Sequence, residues 1–231
     1  MSIVIDDIKK MAALVGSLSR PAVFVGGAVA VLYTDRPEFS EMRATKDIDL
    51  VFKIASLTQL ETVREELVRA GFSHVIGSPV VCRFAFERIL VDVMALDAVG
   101  WAPGNHWFKR GFNRATPYSL DGAALSLLPF PYYLASKFDA FLGRGMRDAY
   151  ASHDLEDIVF VLDGRKNFAQ ELIGYDDREV ISFLRTNMEK LMTDERLKEA
   201  VLGHLPFRFQ EERFKRLQQS IALFCDVGNG G

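Results

Sequence analysis

Asp47 and Asp49 stand two residues apart in Thr45-Lys46-Asp47-Ile48-Asp49-Leu50-Val51-Phe52. A strand alternates faces at every residue, so both carboxylates point the same way, roughly 6–7 Å apart along the chain. A solvent-facing pair on an edge strand would explain them. The flanking Ile48, Leu50, Val51 and Phe52 argue for a more buried strand. Carboxylates in such a place are costly unless something positive sits between them, and a divalent metal ion is the simplest answer. Upstream, the strand-like run Ala22-Val23-Phe24-Val25 ends in Gly26-Gly27, and paired glycines let a phosphate approach the backbone. The combination points to nucleotide chemistry.

Asp92 is the second signal. It interrupts the apolar run Ile89-Leu90-Val91-Asp92-Val93-Met94-Ala95-Leu96. A carboxylate there should be paired, protonated, metal-bound or bonded to backbone groups. If a neighbouring strand sets it beside Asp47 and Asp49, three carboxylates could hold two magnesium ions, about 3.5–4 Å apart, for in-line displacement at phosphorus. Asp92 would then help deprotonate the attacking hydroxyl, as base or as metal ligand.

Lys137 is the third. It follows Leu134 by three residues and precedes Phe141 by four, so it falls on the apolar face carrying Phe130, Leu134, Phe138 and Phe141. A lysine there must snorkel to water or meet an anion, and phosphate is the favoured anion. Arg144 follows on the same side, with Arg147 beyond it. Asp154 and Asp157 are the fourth, in Ser152-His153-Asp154-Leu155-Glu156-Asp157-Ile158-Val159. Taking Leu155, Ile158, Val159 and Leu162 as the core face, Asp154 flanks it and Asp157 points further away. The plain alternative is Asp154 as a helix N-cap with Asp157 in the first turn.

The elements that position these residues follow from hydrophobic periodicity. Residues 3–18 are expected to form an amphipathic helix, stopped by Arg20-Pro21. Strands are expected at 22–26, 47–53, 79–86 and 89–97, the last two joined by a tight turn near Glu87-Arg88. A short helix is expected over 27–34. A second runs over 57–70 on Leu57, Leu60, Val63, Leu67 and Ala70, with Gly71 as its C-terminal cap. Residues 35–44 are polar and loop-like. Helices are expected at 131–144, 154–163, 177–202 and 209–225, with no strand beyond 116–120. The expected fold class is α+β, a mixed sheet flanked by helices and followed by a mostly helical part. The expected domains are 1–118 and 119–231, the boundary lying near 115–125. The Gly-rich tail at 228–231 is expected to fray.

Composition bounds the rest. The chain has 231 residues and a net charge of −3. That balance does not itself demand nucleic acid, so such a contact needs a local patch. Phe207-Arg208-Phe209 and Arg213-Phe214-Lys215-Arg216 supply one candidate, basic with interleaved aromatics, unless they are a solvated helix face. Cys82 and Cys225 are far apart, and Cys82 reads as a buried small hydrophobe. His74, His106, His153 and His204 lack zinc-ligand spacing. With neither a signal-peptide layout nor an apolar run of about 20 residues, the expectation is a soluble cytoplasmic protein.

Gly26-Gly27, Arg43-x-Thr45-x-Asp47-Ile48-Asp49-Leu50, Asp92, Lys137 and His153-Asp154-Leu155-Glu156-Asp157-Ile158 together resemble the AbiEii/AbiGii toxin-like nucleotidyltransferases. These belong to the DNA polymerase β-like nucleotidyltransferase superfamily. The resemblance runs from about residue 22 to 165. It implies transfer of NMP from an NTP to an acceptor hydroxyl with release of pyrophosphate. By matching position it implies that Gly26, Gly27, Arg43 and Thr45 lie at the nucleotide, and that Asp47, Asp49 and Asp92 hold Mg2+ or Mn2+. Lys137 would contact phosphate and Asp154 would be a partner carboxylate, both in catalytic roles. A tRNA 3′ end is the implied acceptor, and a cognate antitoxin the implied partner. Two departures stand out: a longer segment around 36–42, and Gly-Gly where the superfamily often has Gly-Ser. The alternatives are the same chemistry on an aminoglycoside-like small molecule or on a protein (AMPylation), and a non-catalytic nucleotide-binding member.

Overall fold

A computed structural model describes residues 3–35 and 44–227. Arg43 and the extra segment around 36–42 lie outside the described residues, as does the tail at 228–231. The chain divides into two compact units, one of residues 1–29 and 44–133, the other of residues 30–43 and 134–231. The boundary expected from the sequence is 118/119.

The first unit is built on a seven-stranded mixed sheet. In chain order the strands are β1 (Ala22–Val25), β2 (Asp47–Phe52), β3 (Ser73–His74), β4 (Arg83–Phe86), β5 (Ile89–Ala95), β6 (Thr116–Leu120) and β7 (Ala123–Leu127). Their spatial order is β3-β4-β5-β2-β1-β7-β6. β2 is central, antiparallel to β1 and parallel to β5. Its Ile48, Leu50, Val51 and Phe52 are buried, as expected for a strand covered on both faces. Helix α1 (Ile5–Gly16) packs against β7 through a stripe of Ile8, Met11, Ala12 and Val15.

Helix α2 (Leu57–Arg69) is capped by Ser56, whose side chain accepts from Gln59 N. Gly71 follows with φ 96°, and Phe72 N donates to Leu67 O, so the expected glycine stop forms. Leu57 is not part of the buried stripe: as the first helical residue it is exposed. A short helix, α3 (His106–Gly111), was not expected. Asn105 caps it by accepting from Trp107 N.

β7 corrects the expectation that no strand lies beyond 116–120. It pairs with β6 and lies parallel to β1 at Phe24↔Leu127. Its Ala-Ala-Leu-Ser-Leu has no β-branched residue, so the local strand signal is weak. Here the Asp121-Gly122 hairpin turn, with φ 48° and 89°, decides by pairing it with β6.

Helix α4 (Phe130–Ala140) begins in the first unit and continues in the second, where the backbone widens into a π turn at Phe141–Gly145. The second unit then holds α5 (His153–Gly164), α6 (Phe168–Ile173), α7 (Arg178–Thr193), α8 (Glu195–His204) and α9 (Gln210–Asp226). The single helix expected over 177–202 is two. The chain breaks at Asp194, whose ψ of 114° is extended and whose side chain caps α8 by accepting from Leu197 N. Residues 30–35, the end of the 3-10 turn Gly27–Tyr33 and the two residues after it, also belong to this unit. Arg165 Nη1 donates to Tyr33 O at 2.8 Å, and Lys166 N donates to Asp35 Oδ2 at 2.8 Å.

Candidate active site

The parallel pairing of β2 with β5 puts Asp49 opposite Asp92, with Asp47 opposite Leu90. Antiparallel pairing of β2 with β1 puts Asp49 opposite Val25, the residue before the glycine pair. Three carboxylates predicted as one cluster therefore meet at the end of β1, where the chain turns through Gly26. Asp47 and Asp49 are half-buried and Asp92 is buried.

Gly26 has φ 75°, a conformation that favours glycine. A Cβ built on it would lie 1.7 Å from Asp49 Oδ2. The Asp49 carboxylate thus occupies the space that any side chain at position 26 would need. Tyr133 donates its hydroxyl to Gly26 O at 3.1 Å and holds the turn from the other side. Thr45, which is buried, directs its hydroxyl at Asp47 Oδ1, 3.3 Å away.

Sequence reasoning missed Arg83. It starts β4, and the β4–β5 hairpin register sets it directly opposite Asp92. Its Nε donates to Asp92 Oδ1 at 2.7 Å and its Nη2 to Asp92 Oδ2 at 2.8 Å. The same Nη2 also bonds Asp47 Oδ2. A two-point fork on a carboxylate is among the stronger charge-assisted contacts. The hydrogen bonds of Asp92, and then the charges of Asp92, Asp47 and Asp49, hold the guanidinium pKa above its ordinary value despite desolvation. Just before β4, burial pushes the Cys82 thiol up to about 11, with the charges of Asp92 and Asp49 adding to it. Cys82 is a free, buried thiol, as is Cys225.

A signal for Arg83 was present in the sequence. A turn at Glu87-Arg88 between two strands pairs residue 83 with residue 92, and Arg83 is a lone charge in Val80-Val81-Cys82-Arg83-Phe84-Ala85-Phe86. A lone arginine facing a lone aspartate across a hairpin is a cross-strand pair.

The carboxylate oxygens of Asp47, Asp49 and Asp92 are the hard donors that Mg2+ or Mn2+ prefers, so the donor set fits such an ion in kind. As the side chains stand, no group of three or more His, Cys, Asp or Glu among the described residues is arranged to hold a metal. Arg83 draws Asp92 and Asp47 to itself, while Asp49 lies against Gly26.

The second unit carries Lys137, Asp154 and Asp157. Lys137 is buried, and its Nζ lies 2.7 Å from Asp157 Oδ2 and 3.9 Å from Asp154 Oδ1. Asp154 is held chiefly by Arg144, through Nε at 2.7 Å and Nη2 at 3.0 Å. Arg144 is an exposed arm closing over a buried carboxylate.

Two expectations are corrected here. Asp154 is not the N-cap of α5: Ser152 is, accepting from Leu155 N. A Cβ on Gly145 would lie 2.3 Å from Ser152 Oγ, so the π turn can close on that cap only with glycine. Asp157 does not point away but is buried against Lys137. The core face of α5 also includes Val161, which widens the buried arc to the Asp154–Asp157 side.

The basic stretch on α9 is partly spoken for. Asp163 takes Arg213 at 2.6 Å and Arg216 through a second oxygen. Phe207 and Phe209 are exposed, with the Arg208 guanidinium 5.0 Å over the Phe209 ring.

The central parallel pair, the glycine turn and the helical second unit give an α+β fold of the nucleotidyltransferase-like type. Among solved structures it is similar to an antigenic nucleotidyltransferase-like protein from Paracoccidioides brasiliensis, with a TM-score of 0.52 at 17% identity, covering 85% of this chain and 91% of that one. A putative nucleotidyltransferase from H. pylori aligns over 96% of this chain and 93% of its own at 13% identity, with a TM-score of 0.46. The antibiotic-resistance factor ANT(2'')-Ia aligns over 93% and 96% at 12% identity, with a TM-score of 0.43. At these identities the likeness is one of fold. No protein-family model and no curated relative matches the chain in sequence. Among the described residues, no helix is long and apolar enough to cross a membrane.

Proposed function

We propose that this protein is a metal-dependent nucleotidyltransferase that moves an NMP from an NTP to an acceptor hydroxyl. The observation that carries the reading is the β2–β5 register. It sets Asp49 beside Asp92, with Asp47 two residues along, at a glycine turn in a nucleotidyltransferase-like fold.

In the reaction the acceptor oxygen bonds to the α-phosphorus, the bond from that phosphorus to the bridging oxygen breaks, and pyrophosphate leaves. The Gly26-Gly27 turn offers backbone that a triphosphate can approach closely. Asp92 accepts the proton of the acceptor hydroxyl or orients that hydroxyl. Asp47, Asp49 and Asp92 would hold Mg2+ or Mn2+, which when bound neutralises charge on the phosphate oxygens. Lys137 would meet a phosphate, Asp154 would support it as a partner carboxylate, and Arg43 and Thr45 would contribute to nucleotide binding.

For the acceptor we favour nucleic acid, a tRNA end in particular, as in the AbiEii-like toxins that the motifs resemble, with an antitoxin as the matching partner. The exposed Phe207 and Phe209 with Arg208 support it, since stacking rings beside a guanidinium suit single-stranded bases. The test is incubation with each α-labelled NTP and Mg2+ in the presence of total tRNA, an aminoglycoside mixture or a protein extract. Label in tRNA that disappears with Asp49→Ala supports the proposal. Label in the aminoglycoside or protein pool moves the acceptor to that class. NTP binding without pyrophosphate release in any pool would leave a nucleotide-binding protein and no transferase.

A further inference from the structure

Arg83 takes both oxygens of Asp92 and one of Asp47, which are two of the three carboxylates proposed above as metal ligands. The β4–β5 register fixes Arg83 opposite Asp92, and the β2–β5 register brings Asp47 alongside. Arg83 is mostly buried, with 18% of its side chain exposed, so it is packed into the cluster and still open on one side.

A guanidinium and a divalent cation ask the same thing of these oxygens. Both need the oxygens of Asp92, and the Arg83 fork already takes one lone pair on each and covers the face that would chelate a metal. Without a cation of some kind, three carboxylates converging on one end of β2 and β5 would repel one another. Resting on the metal-dependent reading above, we infer that Arg83 is a resident counter-ion that a divalent metal must displace, and so a positioning residue that sets the metal threshold of the site. It keeps Asp47 and Asp92 in place before metal arrives, and its fork must let go of Asp92 before the carboxylate can serve a metal or take a proton. Once released, the guanidinium is the side chain best shaped to grip a phosphate.

The test is titration of the protein with Mn2+ alone, read by electron paramagnetic resonance of the free ion, on wild type, Arg83→Gln and Arg83→Lys. Melting curves in EDTA and in Mn2+ accompany each titration. Arg83→Gln should bind Mn2+ roughly 10- to 100-fold more tightly than wild type, the equilibrium worth of one charge-assisted hydrogen-bonded pair. It should melt lower in EDTA and recover in Mn2+ by more than wild type does. Arg83→Lys, a point charge without the fork, should fall between the two.

A merely structural arginine would lower the melting point without raising Mn2+ affinity. Affinity for Arg83→Gln equal to or weaker than wild type overturns the inference. If Arg83→Gln does not fold in either medium, the same comparison with Arg83→Lys decides it. The titration needs no turnover. Absence of NMP transfer by wild type would therefore sink the proposed function and leave the Arg83 result standing on its own.

Discussion

Replacing Lys137 with methionine separates what this residue does for the fold from what it does for a substrate. Its ammonium lies 2.7 Å from Asp157, with 9% and 4% of the two side chains exposed. At an effective dielectric of 20, charges at that distance attract by about 6 kcal/mol. Desolvating each ion costs several kcal/mol, so the net gain of the pair over an apolar equivalent is small. Removing one partner is another matter, because Asp157 is left buried and charged. That costs about 3–5 kcal/mol, or roughly 6–20 °C in melting temperature for a chain of this size. The double variant Lys137→Met/Asp157→Leu removes both charges and should return to within about 1 kcal/mol of wild type. Urea denaturation of the three proteins reads these values. If Lys137→Met alone costs under about 1 kcal/mol, or the double variant is no better than the single, the buried pair is not what holds this part of the second unit. The folded double variant then answers the chemical question. Loss of NMP transfer places Lys137 at the phosphate, and transfer at the wild-type rate removes it from the site.

Three further outcomes follow from the geometry. Gly26→Ala should destabilise by more than the roughly 1–2 kcal/mol of a left-handed backbone, because the new Cβ would displace the Asp49 carboxylate; urea melts check this, and a cost within that range would mean Asp49 moves aside freely. Asp163→Ala should cost about 1.5–3 kcal/mol by freeing Arg213 and Arg216, and a stability within experimental error of wild type would show that those pairs are solvated. Cys82 and Cys225 are both held up to about 11 from an ordinary 9.0, so they are protonated in the fold where an unfolded chain would ionise them. Their contribution to stability is complete below pH 9 and is lost as pH rises towards 11. Unfolding free energy measured across that window should fall less steeply in a Cys82→Ala/Cys225→Ala variant.

The parts of the fold legible in the sequence are those where local pattern and tertiary role agree. β2 and β5 are apolar runs buried on both faces, and α2 carries both its cap and its glycine stop. The break between α7 and α8 was legible in principle. Asp194 followed by Glu195, ahead of Leu197, is an N-cap pattern that the continuing amphipathic period masks. β7 was legible only through its turn: Ala123–Leu127 has little strand preference of its own, but Asp121-Gly122, both with positive φ, is a two-residue hairpin signal that pairs it with β6 along its whole length. The Asp47, Asp49 and Asp92 cluster was anticipated from three unfavourable charges in apolar strands. What the sequence could not show is the parallel β2–β5 register, which depends on chain lying between residues 53 and 88 and not on any local signal.

The same physics explains why the anticipated partners and the observed ones differ. A charge on an apolar face announces that it needs a counter-charge, and the sequence does not say from where. Asp92 was expected to have a metal and has Arg83; Lys137 was expected to have a phosphate and has Asp157. A chain must fold before it meets a ligand, and leaving such groups unpaired would cost several kcal/mol each. Pairing them internally removes that cost and turns it into a threshold, because any ligand then has to outbid a contact already made. A metal would meet that threshold at Arg83, whose side chain is partly open to water. A phosphate would meet it at Lys137, whose partner is almost fully enclosed. Exchange should therefore be easier in the first unit than in the second. Metal binding should be the more readily reversible event, and substitutions at Lys137 should be read for stability before they are read for catalysis.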